Sequence, residues 1–522
     1  MSSDWITLCV VAFACVVAVD AVRRHHKKDR SLPPYPLPPG PTPLPIIGNI
    51  HNVNISAPWL TYAEWSKVYG DLVYSRFFNQ DVIIINSEKI AKALLEDRSS
   101  NYADRPHLIT NTLFGIDFNT ALMPYGGRWR LQRRFFHQTF KAESASRFVP
   151  MQQRRIHLLA HRLLESPERV FEHIHEFTTS VIINAIYDYD PVSPDDPMVD
   201  IIGRVCRLIA AVNTPEAAGI LGAFPIILSI PSWFPGMSIK RKAALARTWA
   251  RDWVEIPFEH ALRKQNEGST SPAMVFDGFR EEDKMGGGTA RLQALKDAAA
   301  TGFLAGSETS GAALMTFVLA MVLHPAIQDK AYAEIDAVVG KERLPTFDDR
   351  PSLPYIDAII RETLRWNPVV PLSVPHAVVK DDVYDGYHIP KGATVMTNLW
   401  SMAHNEFKYP KPFEFIPERF LYSDGTLTSD NVQNIAFGFG RRSCVGRAFA
   451  DVSMWYAVAT ILALWRMSFP KDELGNDVPC EPKWASGMTT YPLPFPCRFE
   501  PRMPGMDAKK LEELTHATSV AV

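Results

Sequence analysis

A mainly α-helical protein with a small β portion, arranged around one long central helix, is the fold class this sequence predicts. Three observations lead there. Thr289–Leu323 runs 35 residues without a proline, and as a helix it spans roughly 50 Å at 1.5 Å per residue, so it has to cross the core. Helix starts marked by proline and stops marked by glycine recur along the chain, as in Pro58 with Gly70 and Pro325 with Gly340. Strand signals are short and few: Asp71–Phe77, Asp81–Asn86, Val378–Val383, Tyr387–Ile389 and Ala393–Thr397.

The chain has 522 residues with a formal net charge of −2, 46% apolar and 21% charged residues. This is globular composition, which excludes a disordered or fibrous chain. The balanced charge lacks the basic surface a nucleic-acid binder needs, so no nucleic-acid partner is expected. Six cysteines stand apart with no Cys-x-x-Cys pair, which excludes a zinc ribbon and a dense disulfide framework and fits a reducing compartment.

From the N-terminus, Trp5–Val19 is an uncharged apolar run, closed by Asp20 and followed by Arg23, Arg24, Lys27, Lys28 and Arg30. The basic flank lies after the apolar run, the reverse of a secretory signal, and keeps that side in the cytoplasm. Residues 1–22 are read as a single-pass anchor in the endoplasmic reticulum membrane, with the body cytosolic. Residues 23–49 form a basic and proline-rich connector; the run from Pro33 to Asn49 excludes helix and is expected to set the height of the body above the membrane. Residues 50–502 are the catalytic body, and 503–522 a loose C-terminal tail. Ser56 and Ser87 are candidate helix caps. Gln265–Gly288 is polar and glycine-rich and reads as a loop. Pro325 and Pro354 open two further helices, the second running through Trp366.

Five places stand out. Phe437-Gly-Phe-Gly440-Arg-Arg442-Ser-Cys444-Val-Gly446 is a loop leading into a helix that starts near Cys444. Two glycines let its backbone approach a flat ligand. A helix start and neighbouring arginines favour the thiolate of Cys444. By itself a lone cysteine is more often a small buried hydrophobe. Within the long helix, Ala305-Gly-Ser-Glu308-Thr309-Ser310 places an acid beside an alcohol. The Thr309 hydroxyl can bond back to the carbonyl of Ala305, and Gly302 and Gly306 weaken the helix, so that a local opening can hold water. Close packing on small residues is the competing reading. Glu362 and Arg365 pair at i, i+3, and Arg419 follows in Pro417-Glu-Arg-Phe420. Trp129 and Arg133 share a helix face, and Pro375-His376 precedes a strand.

The Cys444 decapeptide resembles the haem-binding loop of the cytochrome P-450 superfamily, F-x-x-G-x-R-x-C-x-G, at every fixed position. The Thr309 segment is similar to that family's oxygen-activation pattern, and Glu362, Arg365 and Arg419 match its buried charge triad. With the anchor and connector included, the likeness covers nearly the whole chain and is strongest to fungal members that tailor natural products. The resemblance implies the P-450 fold, with the long helix over a haem b (iron protoporphyrin IX). It implies Cys444 as the proximal iron ligand, a thiolate that favours O–O cleavage. Phe437 and Gly446 would sit beside the sulfur, while Arg442, Trp129, Arg133 and His376 would contact the propionates, His376 with a pH-dependent charge. Thr309 and Glu308 would assist oxygen activation and proton relay as the catalytic pair, and the triad would be structural.

The implied activity is a haem-thiolate monooxygenase that inserts one atom of O2 into a small lipophilic substrate, a terpenoid or other secondary metabolite. Its electrons would come from NADPH through a separate NADPH-cytochrome reductase, since the chain carries no flavin or nucleotide motif. Arg128, Arg130, Arg134, Arg441 and Arg447 form a candidate docking patch for that acidic flavoprotein. Leu108, Leu113, Phe114, Phe118, Phe303 and Met488 are candidate walls of an apolar pocket. The alternatives are a reductase-independent haem-thiolate isomerase or dehydratase, and a non-enzymatic membrane haem sensor.

Overall fold

The computed structural model describes residues 34–520, apart from 192–195, 213–214, 236, 286–287 and 480. The predicted anchor at 1–22 and the start of the connector lie outside the described residues. The remaining part of the proline-rich stretch does not stand as a free spacer. Pro36 and Pro39 accept from His388 N at 2.7 Å and Tyr74 N at 3.0 Å. Gly40 runs so close to the next strand that a Cβ there would meet the Tyr74 carbonyl oxygen at 1.8 Å.

Helix α1 (Pro58–Tyr69) leads into the antiparallel strands β1 (Leu72–Phe77) and β2 (Gln80–Ile85). After a short π-helical turn at Lys92–Asp97, helices follow in succession: α2 (Ile109–Phe114), α3 (Gly127–Phe140), α4 (Val149–Glu165), α5 (Val170–Tyr187), α6 (Pro197–Val212), α7 (Pro215–Ala223), α8 (Ser238–Asn266) and α9 (Met274–Met285). Then come α10 (Thr289–Leu323), α11 (Pro325–Val338) and α12 (Pro354–Trp366). Strands β3 (His376–Ala377), β4 (Asp382–Tyr384), β5 (Tyr387–Ile389) and β6 (Thr394–Thr397) precede α13 (Gln433–Phe437) and α14 (Arg447–Leu464). Strands β7 (Trp465–Ser468) and β8 (Arg498–Pro501) pair, and α15 (Ala508–Val520) closes the described chain. One sheet has the order β1-β2-β6-β3, and β4 pairs with β5.

The long helix has the bounds its composition predicts. It crosses the main core, and α5 crosses it on small residues: a Cβ on Gly302 would lie 2.9 Å from Ile186 and from Phe136, and one on Gly306 would lie 2.5 Å from Ile182. Close packing is therefore the role of these two glycines, and α10 is unbroken through them. Both α10 and α14 are long and apolar enough to cross a membrane, yet they are core elements, with 67% and 72% of their most apolar windows buried inside the protein.

Four expectations change. The stretch read as a loop at Gln265–Gly288 contains α9, because Ala273, Met274, Val275 and Phe276 bury as a cluster against the core. The expected tail forms α15, whose Leu511 and Leu514 are buried and whose Thr518 hydroxyl accepts from Leu344 N at 2.8 Å. Of the strand expected at Val378–Val383 only Asp382 and Val383 are strand, in β4, and the residues before them follow β3 as irregular chain. Neither Ser56 nor Ser87 makes a side-chain cap.

The charge triad is fully assembled. Arg365 donates to both Glu362 carboxylate oxygens at 2.6 and 2.8 Å, and Arg419 Nε donates to Oε1 at 3.1 Å. Arg365 also donates to the carbonyls of Ala403 at 3.0 Å and Pro412 at 2.8 Å. Such a buried group with every donor used fixes geometry more than it adds stability. Beside it, His404 stacks on Trp400 with centroids 4.1 Å apart, and its Nδ1–H donates to the Trp400 carbonyl at 2.8 Å.

Burial first, and the Arg365 charge with it, holds the His404 imidazole down to about 4. The unfolded chain takes up this proton near the ordinary value of 6.5. Between the two values the unfolded state binds more protons, so stability is full above 6.5 and falls as pH drops. His404→Phe keeps the ring and removes the titration. It is expected to shrink the loss of unfolding free energy between pH 6.5 and pH 5 by about 2 kcal/mol. Urea unfolding at the two pH values measures this, and an unchanged pH slope would refute it.

Candidate active site

The Cys444 loop begins where α13 ends. Gly438 leaves the helix at φ 75°, and a single turn at Gly440–Arg442 follows. Cys444 N then donates to the Phe437 carbonyl at 2.8 Å and closes the loop. Gly440 has φ 58° and lies against the chain itself: a Cβ would meet the Leu95 carbonyl oxygen at 1.9 Å. Its missing side chain therefore serves a backbone contact and not the approach of a flat ligand. Helix α14 starts three residues after the cysteine. Gly446 caps it with its Cβ direction 3.9 Å from the Cys444 sulfur.

Cys444 is enclosed by protein yet its surface is open, so its sulfur borders an internal space. Burial pushes the thiol up, and the Gly446 N–H and the Arg133 and Arg447 charges offset only part of that. Here the sequence expectation is corrected: helix start and arginines do favour thiolate, but desolvation outweighs them in the chain by itself. A cation on the sulfur would select the thiolate outright.

Around this loop the structure gathers cations. From α3, Arg133 Nη2 donates to the Ser443 carbonyl at 2.7 Å. The guanidinium groups of Arg133 and Arg442 lie 5.8 and 4.4 Å from the Trp129 ring centre. Arg442 donates to the carbonyls of Ala103 at 2.7 Å, Thr120 at 3.2 Å and Met123 at 3.0 Å. Burial lowers its pKa to about 10. His376 is buried in β3, and its Nδ1–H donates to the Tyr102 carbonyl at 2.7 Å. Burial, and then Arg105 and Arg442, hold this imidazole well below its ordinary range. In the chain by itself it is neutral at physiological pH, which corrects the expectation of a pH-dependent charge.

Arg105 is the member of this cluster that sequence reasoning missed. It is buried and donates to the carbonyls of Ala121 at 2.8 Å, Val374 at 2.7 Å and Pro375 at 2.8 Å. Burial and the Arg442 charge depress its pKa strongly. The available signal was Arg105-Pro106: a residue before proline is held extended, which gives the arginine a fixed direction.

The second candidate group lies in the middle of α10. Ala305 is exposed in a helix otherwise mostly buried, and Leu304, Gly306 and Glu308–Ser310 are half-buried. Thr309 Oγ1 donates to the Ala305 carbonyl at 2.8 Å, the back-bond its position predicts. The helix does not open there. Of the candidate pocket residues, Phe114, Phe118 and Phe303 are buried in the main core. Phe303 meets Tyr187 and Phe118 meets Trp253 edge-on, at 6.0 and 5.1 Å. Leu108 and Leu113 are half-buried, and Met488 is exposed. In the arginine patch, Arg128 is committed to buried Asp297 at 2.8 Å. Arg130, Arg134, Arg441 and Arg447 are exposed.

The comparisons agree with this geometry. The family model for Cytochrome P450 matches residues 38–495. Among curated proteins, the chain is 37% identical over 485 residues to Cytochrome P450 monooxygenase ple1 of Rhodocybe pseudopiperita, covering 92% of this chain and 91% of the relative. It is 36% identical over 503 residues to a cytochrome P450 monooxygenase of Armillaria gallica, covering 96% and 97%. It is 35% identical over 474 residues to Cytochrome P450 monooxygenase claR of Ampulloclitocybe clavipes, covering 89% and 86%.

Removing the Arg105 guanidinium leaves that buried side chain's place without its charge and takes the charged donor from the carbonyls of Ala121, Val374 and Pro375, of which Val374 keeps only the Ser373 hydroxyl at 3.3 Å. Arg105→Met is expected to cost about 3 kcal/mol or more of unfolding free energy. Arg105→Lys recovers only part, since an ammonium cannot reproduce the fork. Urea unfolding of the two variants decides it, and a loss under 1 kcal/mol in both would count against a structural role.

Proposed function

The chain belongs to the cytochrome P450 family, and from that premise we propose that this monooxygenase inserts one oxygen atom of O2 into a small lipophilic substrate, a terpenoid or similar secondary metabolite. NADPH supplies the electrons through a separate reductase. The observation that carries the reading is the sulfur of Cys444, enclosed by protein, open to an internal space and bordered by buried cations.

The family's haem fits the residues present. A soft sulfur donor with free surface suits iron. Arg105, Arg133 and Arg442 supply positive charge whose hydrogen bonds go to neutral carbonyls, which suits two carboxylates. The Trp129 ring anchors two of these guanidinium groups from below. Bound there, the haem supplies the activation of O2. The chain's own groups do the rest. Cys444 is the sulfur ligand, and the Gly446 N–H tempers its charge. Phe437 fixes the loop through its carbonyl. Neutral His376 spends its ring N–H on Tyr102, so its other nitrogen only accepts, and the arginines carry the carboxylate binding. Thr309 holds its proton on Ala305 O and keeps its oxygen lone pairs for an incoming donor. Glu308, one residue away, brings that proton. Arg130, Arg134, Arg441 and Arg447 offer the acidic reductase a basic face; Arg128 does not belong to it.

The membrane reading has support in the body of the protein as well. Phe224, Ile226, Trp233 and Phe234, between α7 and α8, are 37%, 78%, 75% and 46% exposed. Helix α7 packs against the β1–β2 turn, where a Cβ on Gly219 would meet the Phe78 ring at 3.0 Å. Phe78 N in turn donates to the carbonyl of Ile47, itself exposed. Helix α7, the β1–β2 turn and the chain at Ile47 thus adjoin, and the exposed apolar residues that follow α7 suit a face seated on an endoplasmic reticulum bilayer.

Two experiments test these readings. With reductase, the purified protein should consume NADPH and O2, using substrates first found by their shift of the Soret band. Thr309→Ala should keep NADPH consumption and lower product per NADPH about tenfold or more, with peroxide released instead. Cys444→Ala should abolish the thiolate-type spectrum of the reduced CO complex. Conversion of a peroxide without reductase would favour the isomerase or dehydratase reading. For the membrane, a chain lacking residues 1–30 should still bind phospholipid vesicles, and Ile226→Asp with Trp233→Asp should release it. Equal partition of both forms would remove the apolar face from the account.

A further inference from the structure

The chain enters the Cys444 loop through a residue of the wrong type for its backbone. Val432 immediately precedes α13 with φ 48° and ψ 16°, in the left-handed region. A branched side chain crowds its own backbone there, at a cost of about tenfold in population, and glycine is the residue that sits there freely. Among the described non-glycine residues at positive φ, only Ile46 and Val432 are β-branched. Val432 is 3% exposed and belongs to the core cluster that holds Leu94, Leu95, Tyr409, Ile435 and Phe439.

The chain on either side is tied down. Val432 N donates to Asp430 Oδ1 at 3.2 Å, and the Tyr409 hydroxyl and Lys408 Nζ hold Asp430 Oδ2 at 2.7 and 3.2 Å. From α12, Arg361 Nη1 donates to the carbonyls of Thr428 at 2.8 Å and Asp430 at 3.0 Å. The Val432 carbonyl accepts from Ala436 N at 2.9 Å and so starts α13, a single short helix at whose end the Phe437 carbonyl accepts from Cys444 N. Arg447, at the start of α14, donates to Gln433 Oε1 at 3.2 Å.

We propose that Val432 is a positioning residue for Cys444: its buried side chain keeps its own backbone left-handed, and so sets the direction of α13 and the place where the Phe437 carbonyl meets the Cys444 N–H. This rests on the sulfur-ligand role given to Cys444 above. Strain of this kind persists only where the surroundings over-determine it. Here the core cluster and the Asp430 carboxylate do so. Released, the residue would relax toward the extended backbone usual before a helix, which redirects α13 and draws the Phe437 carbonyl away from the loop. Glycine would allow the turn without gripping it.

The test is hydrogen exchange of the peptide spanning 433–446 in the intact haem-loaded protein, with α15 as the internal reference. Val432→Ala removes the grip and leaves the backbone strain. It should speed exchange at 433–446 about tenfold or more, with α15 unchanged. Val432→Gly removes the same packing but is at ease in the left-handed region, so it should exchange about fivefold more slowly than the Ala variant. Where a side chain only fills a core, the order is reversed, because glycine is the worse residue elsewhere. An unchanged rate in the Ala variant, or faster exchange in Gly than in Ala, overturns the proposal.

The reduced CO complex supplies the second reading. Its thiolate-type share should fall in Val432→Ala and recover in part in Val432→Gly. An equal share in the parent and both variants would show the sulfur indifferent to the hold, and would overturn the positioning role. Retention of the thiolate-type spectrum by Cys444→Ala is a separate failure: it removes the ligand reading, while the order of exchange still decides whether Val432 holds the loop.

Discussion

Positive charge buried with its hydrogen bonds spent on carbonyl oxygens, and with the Asp104 charge offsetting only part of the burial, is the constraint on which this molecule is built. Arg105 and Arg442 between them draw in the carbonyls of residues 103, 120, 121, 123, 374 and 375. Desolvating two guanidinium groups costs several kcal/mol each. Bonds from a charged donor, about 1.5–3 kcal/mol apiece, offset that cost but leave the charge uncancelled. On the proposed reading, these guanidinium groups await the carboxylates of the haem. The same bonds hold the segment before α3, the approach to β3 and the Cys444 loop at fixed spacing, so the anion site and the sulfur are set by one network.

The remaining architecture keeps that network rigid. The Glu362 carboxylate gathers Arg365, Arg419 and the Ile416 N–H, and so ties α12 to the chain leading toward α13. The turn at Gly440 is pressed on Leu95, which leaves room for no side chain. Helix α10 lies tight on α5 through Gly302 and Gly306, so the surface left open at Ala305 is a feature of an otherwise closed helix. Rigid packing on one face and open surface on the other suit the role proposed for Glu308 and Thr309.

Where reading of the sequence failed, the failures share a cause. The cluster at Ala273–Phe276 and the pair Leu511 and Leu514 were overlooked because short apolar groups in polar surroundings show no period; only a core to bury against makes them helix. The glycines of α10 were read as weak points with close packing as the competing reading, and close packing is the role a neighbouring helix gives them. Phe303 was taken for a pocket wall, yet the rotation of α10 turns it toward Tyr187. His376 was given a pH-dependent charge beside a propionate, yet in the chain by itself burial, and then two arginines distant in sequence, hold its imidazole low.

Local chemistry in the sequence was enough to establish the long proline-free helix, the proline-started helices, the cysteine loop, the Thr309 back-bond and the triad, because each is written in residues close together or in a spacing that only one geometry satisfies. The tertiary structure alone decided the burial that pushes the Cys444 thiol up and holds the His376 imidazole low, and the place of Arg105. Those depend on burial and on charges brought together from remote segments, and desolvation is a property of the folded surroundings that no stretch of residues carries by itself.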